Sequence, residues 1–298
     1  MSRLIFGLMW FAHWLPLGVL AAIGNAIGNA AFWLIPERRK VIRVNLAKCF
    51  PQMPEDEREK MARAHFRVFM RSFIERSLLW WAPKDRVLRL IKLEGLEHIR
   101  ALAGKPVILV APHFVGIDAG CTRLTCDVHM AGLYARQKDA AYDALLLLGR
   151  IRFDPQGIAI PRQGGVRPIL SALKKAVPIY YAPDLDFGRQ DAVFVPFFGV
   201  PAATITGVSR LARASGATVL PVITRMLPGG EGYRVKVFPP FENFPTKDVE
   251  ADTRRINAFI EEQVLTMPEQ YYWVHKRFKT RPEGEPSPYE APPQTKPA

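Results

Sequence analysis

Cysteine is scarce in this 298-residue chain, which contains only Cys49, Cys121 and Cys126 and no C-x-x-C pair. An odd number of cysteines without paired spacing argues against a disulfide framework and a zinc site, and it favours reduced thiols in the cytosol. We therefore expect no metal and no bound cofactor, and we interpret the three side chains as small buried hydrophobic groups.

Charge is missing from the N-terminus. Between Leu4 and Ile35 there is no Lys, Arg, Asp or Glu, and His13 is the only ionisable side chain. Because about 20 apolar helical residues span a bilayer core, this stretch is long enough to cross a membrane, or to bend at Pro16 and lie in the interface. A cleaved signal peptide would have a more basic start and a shorter apolar run. The sequence predicts an N-terminal membrane-anchor helix within residues 1–36.

Positive charge dominates the rest of the chain, which has a formal net charge of +13. The basic residues directly after the anchor, Arg38, Arg39 and Lys40, predict that the following domain lies on the cytoplasmic face of the membrane. The excess indicates an acidic partner: nucleic acid, anionic membrane lipid or an acidic protein. Since the basic residues are scattered and form no nucleic-acid-binding motif, we expect no nucleic acid.

Two spaced patterns concern helix packing. Gly24 and Gly28 form a G-x-x-x-G pair, which either lets two helices pack closely or is merely a pair of small residues. Arg63, Arg67 and Arg71 recur every fourth residue along a helix predicted over residues 55–80. Such a stripe forms either a solvated face or a contact with phosphates.

Strand-like and helix-like segments alternate along the middle of the chain. Short, wholly apolar runs typical of strands buried on both faces lie at 107–110, 178–181 and 218–223, and a later strand at 233–238. Helical patterns lie at 139–150, 165–176, 204–215 and 248–266. This alternation predicts an α/β fold with a central, mostly parallel sheet flanked by helices. We expect one domain over residues 37–281 and a disordered tail over residues 282–298, where Pro, Glu and Lys dominate.

The first buried run ends at Ala111 and Pro112, and His113 follows, with Asp118 five residues later. Sites in open α/β sheets gather at the carboxyl ends of strands. From the first turn of the next helix, the Asp118 carboxylate could reach the imidazole and fix its tautomer, so that His113 takes a proton from a substrate hydroxyl. The alternative is a structural histidine at a strand end.

Further candidates for the site are arginines and a second carboxylate. Arg150 and Arg152 could stabilise an oxyanion, and Arg136 could bind a phosphate, because a guanidinium matches the geometry of phosphate oxygens. Each could equally be a surface charge. Asp184 follows another buried strand, so we expect it near His113, where it either orients a basic residue or the acceptor or caps a turn.

The H-x-x-x-x-D motif resembles that of glycerolipid and lipid A acyltransferases. The resemblance to the lipid A biosynthesis acyltransferase family, within the lysophospholipid acyltransferase superfamily, extends to several further blocks. These blocks are Arg43–Leu46, Cys49–Pro51, Tyr181–Asp186, Val193–Gly199 and Met267–Pro282. The resemblance covers nearly the whole chain except the tail and is close to the lauroyl-type enzymes. One departure is that many lipid A members carry Glu at the position of Asp118.

The resemblance implies an O-acyltransferase of lipopolysaccharide biosynthesis in the bacterial inner membrane. It implies a thioester of acyl carrier protein as co-substrate, a hydroxyl of a Kdo-bearing lipid A precursor as acceptor, and a place for Arg150 in the active site. Neither Ser nor Cys stands at the motif, so we expect direct transfer without an acyl-enzyme. Two alternatives are a glycerophospholipid or phosphatidylinositol-mannoside acceptor, and a membrane-tethered binding protein without catalysis.

Overall fold

A computed structural model describes residues 2–290, with side chains from Phe6 onward. The longer helices are α1 (Ser2–Ala12), α2 (Leu17–Leu34), α3 (Pro36–Cys49), α4 (Glu55–Trp81) and α11 (Val249–Thr266). The shorter helices are α5 (Lys84–Leu90), α6 (Leu96–Arg100), α7 (Ile117–Leu124), α8 (Ala140–Ile151), α9 (Arg167–Lys174) and α10 (Gly207–Ser215). The strands are β1 (Ile91–Glu94), β2 (Val107–Val110), β3 (Ala131–Tyr134), β4 (Ile158–Pro161), β5 (Ile179–Tyr181), β6 (Ala192–Phe197), β7 (Val200–Ile205), β8 (Thr218–Met226) and β9 (Tyr233–Val237).

A seven-stranded sheet in the order β1-β9-β8-β2-β5-β3-β4 forms the centre of the molecule. Its neighbouring strands run parallel except for β8 and β9, and β6 pairs with β7 in a separate antiparallel hairpin. The predicted fold class, a mostly parallel sheet flanked by helices, is confirmed.

The central strand β2 shows why its sequence is wholly apolar. Ile108 and Val110 belong to one buried cluster of the core, whereas Val107 and Leu109 belong to the other. Successive side chains of a strand point to opposite faces of the sheet, so a strand covered on both faces needs an apolar residue at every position. The end of this strand is thereby fixed in the middle of the protein.

The N-terminal helix α2 packs along α4. By length and composition, α2 is the one helix of the described residues that could cross a membrane. A Cβ atom added at Gly24 would lie 2.6 Å from the Cα atom of Arg71, and one at Gly28 would lie 2.5 Å from that of Arg67. Only glycine permits so close an approach, so the G-x-x-x-G pair does bring two helices together.

The arginine stripe of α4 faces the same contact. Arg71 is buried, and its Nε atom donates to Oε1 of Glu75 over 2.8 Å, while Arg63 lies over the ring of Phe32 in α2, 4.9 Å from its centroid. The stripe was predicted to be either a solvated face or a contact with phosphates, and both predictions were wrong for Arg71. These side chains help to hold α2 against α4.

The opposite face of α2 is apolar and exposed. Val19, Ile23, Ile27, Trp33 and Leu34 leave between 40% and 77% of their surface accessible. Contiguous exposed apolar residues at this scale mark a contact with a membrane or a protein. This face is consistent with the membrane association that the sequence predicts.

The predicted disordered tail is wrong for residues 282–290. Tyr289 is 5% exposed, it accepts a hydrogen bond from the backbone N–H of Phe278 over 3.0 Å, and its hydroxyl donates to Asn45. One aromatic side chain buried against the core fixes this segment despite its polar composition. The remainder of the predicted tail, residues 291–298, lies outside the described residues.

Candidate active site

His113 and Asp184 meet at the ends of neighbouring strands. β2 ends three residues before His113, β5 ends three residues before Asp184, and the two strands are parallel partners in the middle of the sheet. Oδ1 of Asp184 lies 2.7 Å from Nδ1 of His113, and the backbone N–H of His113 donates to both carboxylate oxygens of Asp184 at 3.1 and 3.0 Å. The structure thus brings together two residues that the sequence placed at adjacent strand ends.

The Asp184 carboxylate decides the tautomer of the imidazole. Burial alone would raise the pKa of Asp184, but the interactions with the imidazole and the backbone N–H of His113 outweigh it and lower that pKa. An ionised carboxylate only accepts hydrogen bonds, so Nδ1 of His113 carries the proton. The Nε2 atom is left free to accept a proton from a substrate.

Asp118 does not hold His113, so the predicted pairing of these two residues was wrong. Its Oδ2 atom accepts from Arg76 over 2.8 Å, and its Oδ1 atom accepts from Nη2 of Arg150 over 2.9 Å. Burial by itself would raise the pKa of Asp118. The two guanidinium groups lower it by more than burial raises it, so the pKa of Asp118 lies well below its ordinary value. Asp118 begins α7 in its first turn and turns toward α4 and α8 rather than toward the strand end.

Arg150 enters the site because α8 packs tightly on α4. A Cβ atom added at Gly149 would lie 2.1 Å from Cδ1 of Trp80, so this glycine lets the two helices touch and directs the next side chain inward. The Nε atom of Arg150 is buried without a hydrogen-bond partner among the described residues. Arg76, Asp118 and Arg150 together carry one net positive charge beside His113, which favours a ligand that is or becomes negative.

The other predicted arginines lie outside this cluster. Arg152 donates to the carbonyl oxygens of Leu79 and Ala82 over 3.0 and 2.6 Å, so it caps the C-terminal end of α4 and does not bind substrate as predicted. Arg136 is exposed and lines a groove of about 480 Å³ next to the strand ends of β3 and β4. Asp184 was predicted to orient either a basic residue or the acceptor, or to cap a turn; its side chain is fully buried against His113, so it orients this basic residue and does not bind the acceptor.

Two cavities meet at His113. The first has a volume of about 230 Å³ and lies between α4, α7, α8 and the strands β3 and β4. The second has a volume of about 680 Å³ and lies between α9, α10 and the loop after β5. The residues that line both cavities are His113, Leu133, Tyr134 and Ala182. Substrates can therefore reach the imidazole from two sides.

Sequence reasoning missed two residues of the site. Arg76 lies five residues after Arg71 and so falls off the four-residue stripe onto the face of α4 that lines the first cavity. The ring of Tyr272 lies 5.8 Å from that of His113, measured between centroids. The broken periodicity of the stripe was the available signal for Arg76. For Tyr272, which lies on a distant part of the chain, there was no comparable signal in the residue pattern.

The fold and the site define an α/β enzyme that can activate a hydroxyl beside lipid-sized cavities. Comparison with known proteins specifies the class. A family model described as bacterial lipid A biosynthesis acyltransferase matches residues 2–280. The lipid A biosynthesis lauroyltransferase of Escherichia coli (strain K12) is 35% identical over 286 residues, covering 95% of this chain and 92% of the relative.

Further relatives differ in the acyl chain that their names state. The palmitoleoyltransferase of the same organism is 34% identical, covering 95% of this chain and 92% of its own, and the myristoyltransferase is 28% identical, covering 91% and 83%. The protein belongs to the bacterial lipid A biosynthesis acyltransferase family. It is therefore an acyltransferase of lipid A biosynthesis, as the sequence predicted.

Proposed function

We propose that the protein moves a fatty acyl chain, of the lauroyl type, from an acyl carrier protein thioester to a hydroxyl group of a Kdo-bearing lipid A precursor. The hydrogen-bonded pair of Asp184 and His113, open to two cavities, carries the proposal. The similarity to the lipid A biosynthesis lauroyltransferase of Escherichia coli supports acylation of a lipid A precursor.

His113 acts as the general base. Its Nε2 atom takes the proton of the acceptor hydroxyl while the oxygen attacks the thioester carbonyl, a form of catalysis that contributes about 10²–10⁴-fold. As the tetrahedral intermediate collapses, the new C–O bond remains, the C–S bond breaks, and the imidazolium returns the proton to the thiolate leaving group. Asp184 stabilises the transient imidazolium.

Arg150 and Arg76 stabilise negative charge. Asp118 holds both guanidinium groups on the wall of the first cavity. The role proposed for Asp118 is to fix these two cations rather than to orient the imidazole. A positively charged, preorganised wall suits an oxyanion or an acceptor phosphate.

We propose direct transfer without an acyl-enzyme, because the hydroxyl groups of Ser72 and Thr125 in the first cavity donate their hydrogen bonds to backbone carbonyls. Ser72 donates to the carbonyl of Phe69 over 2.7 Å, and Thr125 donates to that of Thr122 over 2.8 Å. Burial raises the pKa of the Cys121 thiol to about 12. None of these groups hydrogen-bonds His113 among the described contacts, so none is activated as a nucleophile.

The membrane arrangement is part of the proposal. The exposed apolar face of α2 contacts the inner membrane from the cytoplasmic side, and the other face stays on α4. Because α4 presents arginines along that contact, α2 suits an interfacial position better than an isolated span surrounded by lipid.

The test is mass spectrometry of lipid A from cells with and without the gene, together with an assay of the purified protein. The proposal predicts the loss of one acyl chain in the mutant cells, and transfer in vitro from lauroyl-acyl carrier protein to a Kdo-bearing precursor. An unchanged acyl pattern, or activity on a lysophospholipid alone, would refute it.

A further inference from the structure

The second cavity differs from the first in its distance from the membrane-facing helices. Phe69, Ser72 and Arg76 of α4 line the first cavity, and α4 is the helix on which α2 packs. Among the side chains that the structure describes, none from α1, α2 or α4 lines the second cavity, which is enclosed by α9, α10 and the loop after β5. The first cavity is thus the one beside the helix that carries α2, which leaves the second for a substrate that arrives from water.

The mouth of the second cavity is positively charged. Arg162 and Arg210 line it, and Arg136 and Lys138 line a neighbouring groove at the ends of β3 and β4. We refer to these four residues as the basic rim. All four are exposed.

The acidic side chain at this mouth, Asp191, pairs with Arg210 over 3.0 Å. An ion pair this exposed contributes little, so Arg210 can exchange its partner. The helices around the mouth, α9 and α10, contain Arg167, Lys174, Arg210 and Arg213 and no acidic residue.

Arg162 is also held in place. Its guanidinium lies over the ring of Phe187, 4.2 Å from the centroid, at the side of the cavity. Stacking of this kind orients a guanidinium and leaves its edge free for a phosphate or carboxylate. The basic rim therefore presents four cations, one of them oriented by stacking, around an opening that leads to His113.

We infer that the second cavity is the donor side of the site, and that an acidic carrier protein docks on the basic rim with its thioester arm running through the cavity to His113. The inference rests on the proposed use of a carrier-bound thioester. A carrier protein with acidic residues and a phosphate-linked arm complements the rim, and rim charges chiefly accelerate association.

Charge reversal at the rim tests the inference. Arg162→Glu and Arg210→Glu, singly and together, are compared with Lys92→Glu, an exposed site on β1 at the far edge of the sheet. KM is measured separately for lauroyl-acyl carrier protein, for the carrier-free thioester lauroyl-pantetheine, and for the lipid acceptor, at low and high salt.

The double variant should raise KM for the carrier-bound donor by about tenfold or more at low salt, and by less at high salt. The rise for lauroyl-pantetheine should be less than about threefold, and Lys92→Glu should behave as the wild type. An unchanged KM for the carrier-bound donor, an equal rise for both donors, or a rise for the acceptor instead would overturn the inference.

A wild-type protein that uses lauroyl-pantetheine but not the carrier-bound donor would refute the proposed donor itself. The wild-type assay therefore separates the two failures before any variant is compared.

Discussion

Oδ1 of Asp184 lies 2.7 Å from Nδ1 of His113, and the same carboxylate accepts the backbone N–H of His113. The Asp184 side chain thus holds His113 through one contact to the imidazole and two to the backbone N–H, whereas the carboxylate of Asp118, five residues along the chain, binds two arginines. The two residues of the H-x-x-x-x-D motif have different roles in this protein. His113 is the base, and Asp118 positions the two arginines on the wall of the first cavity.

Replacement of Asp184 by Asn should impair the chemical step. An amide can donate to Nδ1 and so place the imidazole proton on Nε2, where the base is needed. We expect kcat to fall by about 10²- to 10⁴-fold with little change in KM, measured by steady-state acyl transfer.

Asp186→Asn is the control for the Asp184 prediction, since Asp186 is equally buried but accepts from Thr280 instead of His113. It should keep kcat near the wild-type value. Equal losses in the two variants would mean that Asp184 acts only in folding.

Asp118 and Arg150 should act as a unit. Asp118→Asn and Arg150→Gln each remove one side of the ion pair at 2.9 Å, and the double variant should lose less than the sum of the two losses. A double-mutant cycle on kcat/KM should give a coupling of about 1 kcal/mol or more. Strict additivity would contradict the pairing.

The low pKa of Asp118 bears on pH dependence. Because Arg76 and Arg150 outweigh its burial, Asp118 stays ionised throughout a pH range of about 5–9. Asp118→Asn should therefore lower the rate on the plateau above the acid limb, where the wild type keeps this carboxylate ionised. An unchanged plateau rate would show that the ionised carboxylate makes no contribution.

Buried His65 should make the fold less stable in mild acid. Its Nδ1 atom lies 2.8 Å from the carbonyl oxygen of Glu269, and burial lowers its pKa from 6.5 to about 4. Between those values the unfolded chain takes up a proton that the folded protein does not. The free energy of unfolding therefore falls as pH decreases, by about 2 kcal/mol at pH 5 from this group.

Denaturant unfolding of the wild type and His65→Gln at pH 7 and pH 5 checks this. The variant should start from a lower stability, since it alters a buried contact, but should lose about 2 kcal/mol less than the wild type between the two pH values. Burial likewise lowers the pKa of His275 to about 4, so His275 adds the same pH dependence of the free energy of unfolding to both proteins. An equal decrease in the free energy of unfolding of the two proteins between pH 7 and pH 5 would show that His65 does not titrate as stated.

Close packing of α2 on α4 should make Gly28 intolerant of a side chain. A Cβ atom there would lie 2.5 Å from the Cα atom of Arg67, so Gly28→Ala must push the helices apart, at a cost of about 1–3 kcal/mol. Thermal unfolding in detergent should show a lower Tm. Gly7→Ala in α1, where a Cβ meets nothing within 4 Å, should leave Tm unchanged or higher, and an equal effect of both changes would contradict the contact.

The strands and the position of His113 could be predicted because they depend on local pattern. A strand buried on both faces must be apolar at every position, and β2 and β5 are therefore visible in the sequence together with the residues that follow them. The proximity of Asp184 to His113 follows from parallel neighbours ending at one edge of the sheet.

The partner of each charged side chain could not be predicted in the same way. Asp118 turns away from His113 because Arg76 and Arg150 approach it from two other helices, and those approaches depend on packing at Gly149 and along α4. The burial of Tyr289 likewise depends on contacts with residues far away in the chain, so its polar surroundings gave the wrong prediction.

The most direct test of the account is an acyl-transfer assay of the purified protein and His113→Gln with lauroyl-acyl carrier protein and a Kdo-bearing lipid A precursor. Mass spectrometry of the lipid measures the product. The wild type should add one lauroyl chain, and the variant should be slower by about 10²-fold or more while retaining its fold. Wild-type transfer by His113→Gln would contradict the central role of His113.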